Sequence, residues 1–287
     1  MWAKTNTAAI LILAMAGSPS CFVRRRTVAT PPAQANRPLL TATKEELIQR
    51  IHNASDPIQS FIMRADLSPT VIDRTENAAT DYATVGAYLL FRRPDELRVV
   101  GQDPVIESTI FDMASIGNEF HLYLPRQKKF VIGTNDSPGT SENKLANMRP
   151  SAFLSALMIA PPDPATEQTM LEDDTSEEKA VYILLIVRKN QDQLWLARNV
   201  YFDRYTLDIS RQKTFDPVGR IVSETKYSNW MNYDGHSFPS LIDIRRPQDN
   251  YEVQLNVTTL RINSADVTPE KFVLAQPPGS ELQELKK

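Results

Sequence analysis

Three histidines, an aspartate doublet and a single cysteine are the residues of this chain most able to do chemistry. His52, His121 and His236 could serve as general bases or metal ligands, Asp173 and Asp174 could hold a cation or share a proton, and Cys21 could be a nucleophile or an acceptor of acyl chains. Spacing argues against most of this. The histidines lie far apart and lack metal-ligand spacing. His121 alternates with Glu119 and Tyr123 along a strand, the pattern of a surface or half-buried imidazole. Asp173 and Asp174 fall in an acidic stretch from Pro161 to Lys179 that is short of apolar residues and reads as a solvated loop. No G-x-S-x-G, P-loop or G-x-G-x-x-G occurs. The sequence assigns no catalytic residue and no metal ligand, and implies no cofactor. It points to binding rather than reaction.

Cys21 is a different matter. Lys4 opens a basic segment, residues 8–17 (A-A-I-L-I-L-A-M-A-G) form an apolar run too short to span a bilayer, and small residues lead to the cysteine. This is the pattern of a bacterial export signal over residues 1–20 ending at a candidate lipidation site. Ser18, Pro19 and Ser20 depart from the usual lipobox, and Arg24, Arg25 and Arg26 put positive charge on the side that must cross the membrane. The alternative is an ordinary secreted protein cut near Ala16 to Ser20, with Cys21 left as a thiol. One cysteine builds no disulfide framework. Either route places the protein in the bacterial cell envelope: the periplasmic face of the outer membrane if lipidated, the periplasm otherwise.

The remaining composition narrows the class. With residues 1–20 removed the net charge is about −4, which argues against general nucleic-acid binding. The 20 prolines outnumber the 9 glycines, and Pro31 to Pro38 (P-P-A-Q-A-N-R-P) predicts a semi-rigid spacer. Residues 21–42 therefore read as a tether, 43–279 as a folded domain and 280–287 as a C-terminal tail.

The elements of the domain follow from periodicity. Thr43 and Glu46 form a capping box for a helix from Lys44 to about Asn53, with Leu47, Ile48 and Ile51 on its apolar stripe. From Ile58 to Ile132 the period is two, broken by R-P-D, G-Q-D-P, I-G-N and P-R-Q, which predicts six consecutive antiparallel strands. The period then becomes helical from about Glu142 to Ile159, with an interruption at Arg149 and Pro150. Strands resume at Val181 and run to Ile262, where a change of parity predicts a β-bulge near Thr258 and Thr259. The total is about eleven strands and two or three helices: a mainly β fold with α-helices. A helix carrying Met148, Phe153, Leu154, Leu157 and Met158 over the inner side of a curved sheet would enclose an apolar cavity suited to an acyl chain.

The order of these segments resembles a known family. L-I-Q-R-I-H-N-A (47–54) with Ile58 to Leu67, the hairpin G-A-Y-L-L-F-R-R-P-D-E-L-R-V-V (86–100) and the pair G-N-E-F-H-L-Y-L-P-R-Q-K-K-F (117–130) are similar to the early elements of the LolA and LolB lipoprotein-localisation superfamily. V-Y-F-D-R-Y-T-L-D-I-S-R-Q (200–212), F-P-S-L-I-D-I-R-R-P (238–247) and T-P-E-K-F-V-L-A-Q-P-P-G (268–279) resemble its late strands and closing segment. The resemblance implies a strongly curved antiparallel half-barrel capped by helices around an apolar cavity for lipoprotein acyl chains. It also implies that Arg93, before the hairpin proline, latches the lid. The family's membrane-anchored receptor carries a leucine on a protruding loop, and the matching loop here, near Gly101 to Val105, has none.

The expectation is an envelope lipoprotein that binds lipid or lipoprotein acyl chains for transport or sorting. Phe91, Arg93, Met148, Phe153, Leu154, Leu157 and Trp195 are its candidate ligand-binding residues. A non-catalytic scaffold that binds an envelope protein partner through the same fold is the main alternative, favoured by a filled interior. A hydrolase with scattered catalytic residues is the second.

Overall fold

Thr43 closes the capping box: Glu46 N donates to Thr43 Oγ1 at 3.2 Å and Thr43 N to Glu46 Oε2 at 2.7 Å. Two orphan amides at the start of helix α1 (Lys44–Ser55) are thereby satisfied. The computed structural model describes residues 37–73, 77–135, 148–176, 179–190 and 193–285. The expected export signal, Cys21, most of the spacer and residues 142–147 lie outside these.

The second helix, α2 (Pro150–Leu157), starts at the proline expected to interrupt a longer helix. Arg149 before it is extended, with φ −119° and ψ 132°, as the ring of a following proline requires. Pro150 then stands at the first helical position, where its missing N–H costs nothing.

Among the described residues fifteen strands form one unclosed, curved sheet: β1 (Ser60–Asp73), β2 (Ala78–Asp81), β3 (Val85–Arg92), β4 (Glu96–Gln102), β5 (Thr109–Ile116), β6 (Glu119–Leu124), β7 (Lys129–Thr134), β8 (Glu167–Thr175), β9 (Ala180–Asn190), β10 (Gln193–Asp203), β11 (Ile209–Phe215), β12 (Ile221–Tyr233), β13 (His236–Arg246), β14 (Tyr251–Ile262) and β15 (Glu281–Glu284). The order is β15-β7-β6-β5-β4-β3-β1-β14-β13-β12-β11-β10-β9-β8, with β2 attached to β1. Two meanders thus meet where β14 pairs with β1. The register there slips between Arg64 and Ala65, opposite the bulge expected at Thr258, whose hydroxyl donates to Arg64 O at 3.0 Å.

The count exceeds the expected eleven. The acidic stretch read as a loop contains β8, which pairs with β9 from Glu167–Arg188 to Thr175–Ala180. An edge strand is half solvated and tolerates charges that an interior strand would not, so its composition conceals it. Residues Glu281–Glu284, in the stretch expected to be a tail, form β15 in parallel with β7.

Alternation along β1 separates the two faces of the sheet. Phe61, Met63, Ala65 and Leu67 join Leu47 and Ile51 of α1 and Phe153, Ala156 and Leu157 of α2 in one core on the inner face. Ile62 points outward and packs with Leu90 and Phe272. The chain after β14 crosses this outer face as a strap, with Leu274 on Ala114 and Phe130. Arg98 Nη1 donates to Lys271 O and His121 Nδ1 lies 2.8 Å from Leu274 O. Within β4, Gly101 admits the Phe111 ring, which would stand 2.2 Å from any Cβ added there.

Candidate functional site

Six of the seven expected binding residues converge around α2 and the strands below it. Met148, Phe153 and Leu157 are buried, Leu154 packs at their margin, and Phe91 stacks on Phe61 with ring centroids 5.1 Å apart. Trp195 lies elsewhere, on β10 opposite Arg188 of β9. A partly open space between the ends of α1 and α2 and the sheet, lined by Ala156, Leu157, Tyr227 and Phe238, is about 20 Å³. That is room for about one water molecule, not for an acyl chain. Phe61, Phe91 and Phe153, each 1 % exposed or less, fill the space in which an open cavity was expected.

The C-terminal end of α2 is held by side chains that satisfy its orphan carbonyls. Tyr227 donates to Ala156 O at 3.0 Å, Gln212 Nε2 to Ser155 O at 3.1 Å and, just beyond the helix, Arg198 Nη1 to Ala160 O at 2.7 Å. Burial pushes the Tyr227 phenol far above its ordinary pKa, so it remains a donor at any physiological pH. Arg93 acts on the other helix. Its Nε donates to Ile58 O at 2.8 Å and its Nη2 to Ser55 O at 2.7 Å, so the arginine fastens the end of α1 to the β3–β4 turn.

Beside α2 opens a cleft of about 460 Å³. Phe91, Leu154, Met158 and Ile159 form its apolar side, and Arg93, Glu167, Arg188, Arg198 and Gln212 its polar side. The Glu167 carboxylate, 2 % exposed, accepts from Arg188 at 2.6 Å and from Arg198 at 2.9 Å. Burial alone would raise its pKa, but the Arg198 charge and hydrogen bonds from Arg188, Arg198 and Asp163 N hold it below the ordinary value. Sequence reading missed this triad because Glu167 lay in a presumed loop. Its only signal was charge facing the far ends of two apolar strands.

A second groove, about 580 Å³, separates the polar face of α1 at Gln49, Arg50 and Asn53 from Leu207, Ile209 and Trp230. At the β4–β5 turn Val105 and Ile106 are 85 % and 70 % exposed. Asp103 Oδ1 fixes this tip by accepting from both their amides, at 2.9 and 3.2 Å. The turn lacks the leucine sought there, yet it presents two branched aliphatic side chains in its place.

The histidines stay apart, on α1, β6 and β13. His52 pairs with Asp56, and His121 bridges Glu119 and the strap. Asp173 pairs with Arg204, whose guanidinium lies 4.6 Å from the Tyr182 ring centroid, and Asp174 with Lys179. Among the described residues no group of three His, Cys, Asp or Glu side chains could hold a metal ion, and no helix is long and apolar enough to cross a membrane.

No family model and no curated protein matches the sequence. Solved structures do. A LolA superfamily protein from Nitrosomonas europaea superposes with a TM-score of 0.51 over 82 % of this chain and 99 % of its own, at 13 % identity. A DUF1329 family protein from Desulfovibrio piger gives 0.53 over 79 % and 95 %, at 15 % identity. A domain from Vibrio parahaemolyticus described as an outer membrane lipoprotein-sorting protein gives 0.51 over 79 % and 94 %, at 12 % identity. At these identities the likeness is one of fold: the chain has the LolA-like fold.

Proposed function

We propose that this protein binds lipid or lipoprotein acyl chains between α2 and the inner face of the sheet and releases them without a chemical step. The observation that carries the reading is the build of α2. It has only eight residues, it turns Ala152, Phe153, Ala156 and Leu157 onto an apolar sheet, and polar side chains hold its C-terminal end. A short helix seated this way can lift as a lid. Exposing Phe153 and Leu157 costs roughly 3–6 kcal/mol, whereas burying a chain of about 16 carbons returns on the order of 13 kcal/mol. The acyl chain would replace the side chains that now fill the interior, with Phe91, Met148, Phe153, Leu154 and Leu157 lining it and Arg93 keeping α1 in place. The lipoprotein-sorting description of the Vibrio parahaemolyticus domain agrees with this role. Val105 and Ile106 would meet the membrane or the cargo, and residues 1–36, with Cys21, would carry the export signal and anchor.

The filled interior favours a second reading, a scaffold that binds an envelope protein partner and takes no lipid. Native mass spectrometry with lipid extraction on the full chain from a bacterial envelope separates the two. Co-purifying acyl chains, lost in Leu157→Glu, support the carrier. A ligand-free protein supports the scaffold.

A further inference from the structure

The inner face of the sheet is not uniformly apolar. In the core it shares with α1 and α2 it presents Phe61, Met63 and Phe238, but beyond α2 it turns polar. Gln212 and Thr214 of β11 and Arg198 of β10 follow one another there, and Glu167 and Arg188 stand directly opposite across β8 and β9. Gln212 and Arg198 each give one donor to the end of α2, but the Glu167–Arg188–Arg198 cluster exceeds what seating a helix needs, because burying charge costs free energy even when it is paired.

Two features of the wall point to a ligand. Gln212 is 4 % exposed and its Oε1 has no hydrogen-bond partner among the described residues, nor has the buried Nε of Arg198. Buried polar atoms are rarely left unpaired, so these two, on residues that line the cleft, mark a place where a polar group belongs: the Arg198 Nε–H donor suits an anionic oxygen and the Gln212 Oε1 acceptor a hydroxyl of the same headgroup. The second feature is charge. Arg188 and Arg198 share one carboxylate, Glu167, and Arg93 donates to backbone carbonyls. With Asp163 counted at the rim, three cations face two anions. Arg188, with its side chain 49 % exposed, can turn part of its donor fork to a newcomer while Arg198 keeps Glu167 in place.

The geometry points to a site for an anionic headgroup, phosphate or carboxylate, held by Arg188 and Arg198 in the cleft beside α2, with the attached acyl chain running under the helix past Met158 and Ile159. This rests on the acyl-chain reading above and names the class of ligand, a single-chain anionic amphiphile. The volume of about 460 Å³ lies within the range of small-ligand pockets. Met158 and Ile159 line both the cleft and the small space at the end of α2, so a chain whose headgroup sits in the cleft enters the interior there once the helix lifts.

The test is equilibrium binding to the full chain of palmitate, lysophosphatidylglycerol, monopalmitoylglycerol and inorganic phosphate, repeated with Arg188→Gln and Arg188→Lys. The two anionic amphiphiles should bind about tenfold more tightly than the neutral glyceride, and added salt should narrow the gap. Arg188→Gln should bring palmitate down to the affinity of the glyceride on the native protein, and Arg188→Lys should retain part of the difference. Equal binding of charged and neutral amphiphiles overturns the headgroup site and leaves the acyl-chain reading intact. Phosphate binding that Arg188→Gln abolishes, with no amphiphile bound, identifies a free anion as the ligand and overturns the acyl-chain reading. Absence of all binding overturns both.

Discussion

Tyr227 reaches from β12 to the last turn of α2 and donates its hydroxyl to Ala156 O at 3.0 Å, inside a fully packed apolar environment. This is a buried tie between the sheet and α2. Tyr227→Phe keeps the ring and removes the donor, leaving a helix-end carbonyl unpaired. The expected cost is about 1 kcal/mol. Hydrogen exchange should quicken in residues 150–158 more than in β1 or β14, and an apolar probe should enter faster.

Arg93 holds the other helix. Arg93→Ala removes two charge-assisted hydrogen bonds, to Ser55 O and Ile58 O, and should destabilise the fold by about 2 kcal/mol in urea titration. Lysine cannot reproduce the planar fork, so Arg93→Lys should recover less than half of the loss. A neutral effect of Arg93→Ala would show that α1 is fixed by its apolar stripe alone.

Glu167 ties the pH dependence of stability to the cleft. Its folded pKa lies below the ordinary value of 4.5, so its contribution is complete above that value and is lost as pH falls through the lower folded value. Glu167→Gln leaves Arg198, 13 % exposed, without its carboxylate and should cost about 3 kcal/mol at neutral pH. The variant should also lose less stability than the native protein between pH 5 and pH 3, which acid titration followed by circular dichroism would measure.

Val105 and Ile106 protrude from a turn that Asp103 holds rigid. Replacing both with glutamate should change stability by less than about 0.5 kcal/mol, since neither side chain is packed. Sedimentation with lipid vesicles should fall sharply if this tip meets a bilayer. Unchanged sedimentation would remove the tip from the account.

Wherever a single pattern decided structure, it was legible in the chain. The Thr43 capping box, the period-two strands from β3 to β7 and the bulge at Thr258 depend on local chemistry or on alternation, and all are present; the strand expected from Val105 to Met113 begins only at Thr109, because Asp103 holds residues 105 and 106 in the turn. The strands β8 and β15 escaped because edge strands are stabilised by one neighbour's ladder and need no apolar pattern. Periodicity groups the residues of α2 but does not tell a helix roofing an open cavity from one packed into a filled core beside Phe238. Both present the same stripe. The Glu167–Arg188–Arg198 cluster was illegible for another reason: its members come from three strands and meet only through register.

The most direct measurement is a fluorescence titration of the full chain with the neutral probe N-phenyl-1-naphthylamine, with palmitate as competitor and hydrogen exchange of α2 read at saturation. The account predicts saturable uptake at one site, displacement by palmitate, and faster exchange over residues 150–158 in the bound state. Failure of the probe to bind, or binding that leaves α2 as protected as before, would contradict a lid that opens for acyl chains.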